Sequence, residues 1–189
     1  MLAPDYPVLT DRLALRPLHP AGDLEAVLAY QSRADVCRYV PYEPRSRAEV
    51  AERLRTARST LTEEGQSLLL AIVLRSTEAL IGDATLFWHS AKHRGGEIGY
   101  VLNPAYQGHG YATEASRAML ALGFDGLGLH RVIARLDSRN AASANVLRRL
   151  GMRQEAHLVQ NEWFKGEWTD ELDFAMLATE WAQRVNEAR

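Results

Sequence analysis

The chain reads as an α/β protein of the mixed-sheet kind, with helices on both faces of the sheet. Three observations predict it. A strand–helix–strand–helix unit occupies 97–150, the arrangement that sets two parallel strands in one sheet. Apolar runs adjacent in sequence, 67–88 before it and 152–177 after it, read as antiparallel pairs. No repeat, low-complexity tract or linker interrupts the 189 residues, which at 47% hydrophobic suit one domain over 1–189 with a sizeable core.

Leu9 to Pro17 alternates around Leu13 and Leu15, a short strand stopped by Pro17. Asp23 to Ser32 carries Leu24, Val27 and Leu28 at helical spacing. Ser46 to Leu61 is a second helix: Ser46 caps it, Glu49 lies three residues on, and Val50 and Leu54 share its apolar face. Ser67 to Leu74 and Leu80 to Trp88 form a hairpin through the turn Ser76-Thr77-Glu78. Glu97 to Leu102 is the next strand. After a Gly-rich turn, a helix beginning near Tyr111 runs to about Phe124, with Ala112, Ala115, Met119 and Leu122 on its buried face. Gly123, Gly126 and Gly128 break it. Arg131 to Asp137, with Val132, Ile133, Ala134 and Leu136, is expected to be buried on both faces. Asn140 to Leu150 is a short helix closed by Gly151, a residue favoured at left-handed helix ends. Met152 to Val159 and Glu171 to Leu177 are the final antiparallel strands, and Thr179 to Val185 a terminal helix.

Composition excludes several function classes. A net charge of −2 argues against nucleic acid as a partner, which calls for a basic surface. A single cysteine, Cys37, excludes an intrachain disulfide, fits a reducing compartment and reads as a small buried hydrophobe. No basic segment followed by an apolar run opens the chain, and no apolar run reaches membrane-spanning length. A cytoplasmic protein with no membrane partner is the expectation. His89 and His93 are four apart but fall in an expected loop without a third ligand, so no metal is expected.

The run Gln107-Gly108-His109-Gly110-Tyr111-Ala112-Thr113 joins the strand ending at Leu102 to a helix. Glycines there permit a tight bend and leave no Cβ in a ligand's way. The first amides of a helix lack intrahelical partners and lie at its positive end, which suits a phosphate. A P-loop is excluded because no Gly-Lys-Ser/Thr follows. A dinucleotide fingerprint fails at Thr113, where it needs Gly or Ala, although Asp137 lies near the required distance. A helix entry with no ligand is the alternative.

Further blocks decide the matter. Gln107-x-x-Gly110-x-Ala112 matches the acyl-CoA pyrophosphate motif of the GCN5-related N-acetyltransferase (GNAT) superfamily. Asp137-x-x-Asn140-x-x-Ser143-x-x-Val146-Leu147-x-x-Leu150-Gly151-Met152 resembles its next block. Leu9-Thr10-Asp11-Arg12-Leu13-x-Leu15-Arg16 and Glu162-Trp163-x-x-Gly166-x-Trp168-x-Asp170 are similar to segments of its RimJ/RimL-like branch. The resemblance covers nearly the whole chain with element order intact. It implies the GNAT acyl-CoA N-acyltransferase fold, in which two central parallel strands, here 97–102 and 131–137, splay apart and acyl-CoA enters between them. It also implies acetyl-CoA as co-substrate, an amine acceptor (small molecule or protein N-terminus), and a homodimer as a further arrangement common among relatives. Unpaired strand ends expose backbone groups that an amide-bearing pantetheine arm satisfies. The resemblance therefore assigns the backbones of Tyr100, Val101 and Leu102 to pantetheine and the amides of Gln107, Gly108, His109, Gly110, Tyr111 and Ala112 to the pyrophosphate, with the Thr113 hydroxyl beside them.

The implied chemistry is direct attack of an amine on the thioester. The amine must lose its proton, which an α-amino group holds until about pH 8 and a lysine until about pH 10. Glu97, at the start of the cofactor strand, is the candidate general base, acting through water; a glutamate paired with Arg94 or another basic neighbour is the alternative. Glu162 is the rival carboxylate. A backbone N–H near Val101 is the candidate oxyanion donor. Asn140 caps the helix 141–150 and, by resemblance, bonds the pantetheine or a water. Ser143 is the candidate donor to the departing thiolate. Where many members carry a tyrosine acid, one position after the leucine matched by Leu147, this chain has Arg148. Arg148 or Arg149 is a candidate for the 3′-phosphate. Tyr39 and Tyr42 fall where the superfamily builds its acceptor wall, and Trp88, Trp163, Phe164 and Trp168 either line that pocket or simply pack. A non-catalytic acyl-CoA-binding module is the competing function.

Overall fold

A computed structural model describes residues 1–187. Its elements are β1 (Val8–Leu9), β2 (Leu13–Pro17), α1 (Leu24–Gln31), α2 (Ala34–Cys37), α3 (Arg47–Thr56), β3 (Ser67–Leu74), β4 (Leu80–Ser90), β5 (Gly95–Leu102), α4 (Tyr111–Ala121), β6 (Arg131–Asp137), α5 (Ala141–Leu150), β7 (Arg153–Phe164), β8 (Glu167–Leu177) and α6 (Ala178–Glu187). The strands form one sheet in the order β1-β2-β3-β4-β5-β6-β8-β7. Among the described residues only β5 and β6 pair in parallel; every other neighbouring pair is antiparallel. This is the mixed α/β sheet the sequence predicts.

Strand β3 lies at the centre of the packing, and its alternation serves two cores. Leu68, Leu70 and Ile72 join one cluster with Ala115, Met119 and Phe124 from α4 and the π-helical turn after it. Leu69, Ala71 and Val73 join the other, under Val27 and Tyr30 of α1 and Val50 and Leu54 of α3. Helices therefore cover both faces. Each fully buried leucine or isoleucine here contributes about 2 kcal/mol by leaving water.

Several boundaries differ from the sequence reading, each for a physical reason. The segment 9–17 is two strands, because Thr10 closes a tight turn: its N–H donates to the Leu13 carbonyl at 2.9 Å and its Oγ1 accepts the Leu13 N–H at 3.0 Å. The capping box at Ser46 and Glu49 forms, but its helix ends at Thr56. Burial on both faces belongs to β3; β6 buries Val132, Ala134 and Leu136 and leaves Arg135 exposed. The helices α1 and α3 cover β3 and β4, so that face of β6 opens onto a cavity. The final strands are longer than expected and meet at Lys165 and Gly166, both at positive φ. Gly151 closes α5 in the left-handed conformation (φ 82°), and the Met152 N–H returns to the Leu147 carbonyl.

Candidate active site

The site begins where two strands part. Strands β5 and β6 pair only at Gly95/Arg131, Gly96/Val132 and Glu97/Ile133. Beyond that point β5 continues to Leu102 against β4, while β6 continues to Asp137 against β8. The facing edges of the two strands are left without strand partners, and a cleft opens between them. Tyr100 bridges it, its hydroxyl donating to the Ser143 carbonyl at 3.3 Å; burial pushes that phenol up to about 12. Cavities of about 680 Å³ and about 500 Å³ flank the bridge. They share Tyr39, Val40, Tyr100, Val101, Asn140 and Ser143, so they form two halves of one cleft.

The smaller half is built for an anion. After Leu102 a 3-10 turn, Pro104–Tyr106, leads to the glycine loop, whose bend requires positive φ at Gly108 (83°) and Gly110 (81°). Among the described residues, the amides of Gly108 through Thr113 donate to no protein acceptor, because the first bond of α4 runs from the Glu114 N–H to the Gly110 carbonyl. Thr113 Oγ1 is buried without a partner beside them. Six unpaired amides and an orphaned hydroxyl at a helix N-terminus fit a pyrophosphate. The loop is pinned from outside. Arg12 donates from Nη1 to the His109 carbonyl at 2.9 Å and from Nε to Glu114 at 2.7 Å, and Thr10 Oγ1 donates to Glu114 at 2.6 Å. Arg12 also lies over the Tyr111 ring at 4.7 Å. The Leu9-to-Arg16 block thus acts on the loop by holding it.

The larger half carries the charges. Glu97 stands at the fork, 16% exposed, with Oε2 accepting from Arg135 Nη2 at 3.0 Å and lying 2.8 Å from His89 Nε2. It lines the cleft, and it also has the basic neighbours of the alternative reading, though these are Arg135 and His89 rather than Arg94. Deeper in, Asp83 of β4 is buried and accepts from Tyr30 Oη at 2.6 Å, Gln31 Nε2 at 2.8 Å and Arg53 Nη2 at 3.2 Å. Tyr39 and Tyr42 line the same half. The tip of the β7–β8 hairpin fastens that wall: Lys165 Nζ donates to the carbonyls of Cys37 at 2.6 Å and Tyr42 at 2.8 Å.

Of the residues singled out from sequence, Tyr100, Val101, Leu102, Gln107, Gly108, Gly110, Tyr111, Ala112, Thr113, Asn140 and Ser143 all line the smaller half. The Gln107 amide, however, does not join the free amides as expected: it closes the 3-10 turn by donating to the Pro104 carbonyl at 3.2 Å, and its side chain donates to the Leu102 carbonyl at 3.3 Å. The His109 side chain does not; it packs against the Tyr111 ring at 5.7 Å. Asn140 caps α5 through Oδ1, which accepts the Ser143 N–H at 3.1 Å. Glu162 is exposed on β7 and lines neither half. Trp163 and Trp168 form an exposed cross-strand pair on the hairpin, outside the cleft, and Trp88 packs against the main core. On α5 Leu147 lines the larger half, whereas the next residue, Arg148, turns away toward Gln154 and the Phe174 ring. Arg149 lines the smaller half. Cys37 is fully buried, and burial raises its thiol pKa. Sequence reasoning placed His89 in a loop. It lies on β4, which runs two residues further than expected, and the alternation of Phe87 and His89 on one strand face was the available signal. The Asp83 network was missed as well. Among the described residues, no cluster of three or more His, Cys, Asp or Glu could hold a metal ion.

Comparisons with known proteins agree with this geometry. Residues 12–153 match the family model described as an acetyltransferase (GNAT) domain. The chain is 32% identical over 174 residues to the Bacillus subtilis (strain 168) protein named Uncharacterized N-acetyltransferase YnaD, covering 92% of this chain and 98% of that one. A crystal structure of an acetyltransferase (GNAT family) from Bacillus anthracis superposes with a TM-score of 0.82 at 30% identity, over 91% of this chain and 98% of that one. The spermidine N-acetyltransferase from Vibrio cholerae, solved in complex with CoA and spermine, shares the fold with a TM-score of 0.78 at 22% identity, over 92% of this chain and 99% of that one. The match over 12–153, joined to relatives aligned end to end, shows that the chain belongs to the GNAT family and is an N-acetyltransferase.

Proposed function

We propose that the protein transfers an acetyl group from acetyl-CoA to an amine by direct attack in a ternary complex. The observation that carries this reading is the forked cleft, with an anion cradle in one half and a carboxylate at the fork in the other. The amides of Gly108 to Thr113 and the Thr113 hydroxyl hold the pyrophosphate, and the unpaired edge of β5 from Tyr100 to Leu102 holds the pantetheine arm. Bound acetyl-CoA supplies an activated thioester, whose thiolate leaves readily because its conjugate acid has a pKa of about 8.5. Glu97 takes the amine's proton through a water, with His89 and Arg135 holding its carboxylate in place. Ser143, in the first turn of α5, donates to the departing sulfur, and the backbone near Val101 donates to the oxyanion. Glu162 has no part in this reading, since it lies outside the cleft. The N-terminal and hairpin blocks support placing the chain in the RimJ/RimL-like branch.

The test is turnover. Purified protein with acetyl-CoA and a panel of amines should release free thiol above the rate of thioester hydrolysis for at least one acceptor, with a mass gain of one acetyl group on that amine. Tight CoA binding with no acetylated product across the panel would favour the acyl-CoA-binding module instead.

A further inference from the structure

The acceptor half of the cleft has more guanidinium than carboxylate. Its charged lining is Arg45, Arg53, Arg58, Arg135, Asp83 and Glu97. Both carboxylates are engaged. Asp83 takes Tyr30, Gln31 and Arg53, and Glu97 takes His89 and Arg135. Arg45 has no carboxylate partner among the described residues. Its Nη1 donates to the neutral Gln31 Oε1 at 2.6 Å, and its guanidinium lies 3.6 Å over the Tyr42 ring. Gln31 is itself fully buried and tied to Asp83, so it fixes one edge of the guanidinium and leaves the remaining donors free.

Tyr42 adds an independent observation. Its hydroxyl is buried without any hydrogen-bond partner. A buried donor left unpaired is costly, and so is a half-buried cation with no carboxylate in contact, the Asp83 charge acting on Arg45 only through space. Burial, followed by the charge of Arg53, lowers the pKa of Arg45. The two groups stack on each other, line one cavity and lack the same thing, an anionic acceptor atom.

We propose that Arg45 and the Tyr42 hydroxyl bind a carboxylate on the acceptor, so that the substrate is a small amine bearing a carboxylate, of the amino-acid class, and not a polyamine. This rests on the amine-acetylation reading above. A polyamine would bring its surplus cations to a wall whose carboxylates are already neutralised and whose free charge is positive.

Matched amines that differ only by a carboxylate test it: ornithine against putrescine, lysine against cadaverine, phenylalanine against phenethylamine, with a short peptide beginning in Asp-Glu as a further arm. The carboxylated member of each pair should show at least a roughly tenfold higher kcat/KM, and Arg45→Gln should collapse that ratio toward one, mainly through KM. Tyr42→Phe should reduce it by a smaller factor. Preference for the decarboxylated members, or equal losses on both members in Arg45→Gln, would overturn the proposal. Turnover of the peptide alone would also overturn it, since the acceptor would then not be small. Calorimetric titration of the CoA-loaded protein with N-acetylphenylalanine and N-acetylphenethylamine separates this claim from the catalytic one. Selective binding of the former, lost in Arg45→Gln, upholds the carboxylate subsite even if no turnover is found. Equal binding of the two refutes the subsite even if turnover is found.

Discussion

Glu97 sits where three constraints meet: it is the last β5 residue paired to β6, it faces His89 across β4, and it reaches Arg135 on the diverging strand. Its carboxylate is thus held at the point where the cleft opens. Replacing it by glutamine keeps the size and one acceptor oxygen but removes the carboxylate proposed as the base. Glu97→Gln should lower kcat roughly a hundredfold near neutral pH, with the deficit shrinking as rising pH deprotonates the amine without help. An unchanged rate across the pH profile would remove Glu97 from the role. Its place at the fork was legible in the sequence because it lies near the start of the strand that leads into the glycine loop, although β5 begins two residues earlier than expected, at Gly95. Its partners were not. His89, eight residues earlier, and Arg135, on a strand beyond a whole helix, are brought to it only by sheet pairing. The same holds for Asp83, whose donors Tyr30 and Gln31 are more than fifty residues away.

At the scale of elements, the glycine loop works because another element holds it. The β1–β2 turn packs Thr10 and Arg12 against the first turn of α4, and Arg12 takes the His109 carbonyl directly. This arrangement leaves the loop amides pointing away from protein acceptors. Arg12 is half exposed, so its ion pair with Glu114 is partly screened and worth modest energy. Arg12→Ala should therefore raise KM for acetyl-CoA by roughly three- to fivefold with a much smaller change in kcat, measured by steady-state thiol release. A rise in acceptor KM with no change for acetyl-CoA would contradict the holding role. The turn motif was readable because glycine positions and a helix start carry local signals, and Gly110 indeed needs its positive φ. The holding contact was not, since it joins residues about a hundred positions apart. The early turn at Thr10 was also hidden, because alternating leucines continue on both sides of it.

For the whole molecule, the element order and mixed sheet were legible because helix caps, hydrophobic period and turn residues agree along most of the chain. Which strand is buried on both faces was not, because this depends on where α1 and α3 lie over the sheet. The far side of the sheet is closed by ion pairs. Glu155 of β7 takes Arg131, on β6 beyond β8, and Arg153, which also pairs with Glu180 of α6. Chiefly through Arg131, its carboxyl falls from 4.5 to about 2. A depressed folded-state pKa stabilises above the unfolded value, and that contribution disappears as pH falls through the folded one. The melting temperature should therefore drop between pH 4.5 and about 2, with a shallower drop in Glu155→Gln. Parallel curves for the two proteins would show that this cluster does not couple to acid unfolding.

On the proposed function, acyl-CoA lies across the β5/β6 fork with its phosphates on the glycine loop. A crystal structure of the protein with CoA tests it most directly. The pyrophosphate should lie on the amides of Gly108 to Thr113, the pantetheine along Tyr100 to Leu102, and the sulfur at the junction of the two half-cavities near Ser143. CoA seated elsewhere, or with its phosphates off the loop in a correctly folded protein, would contradict it.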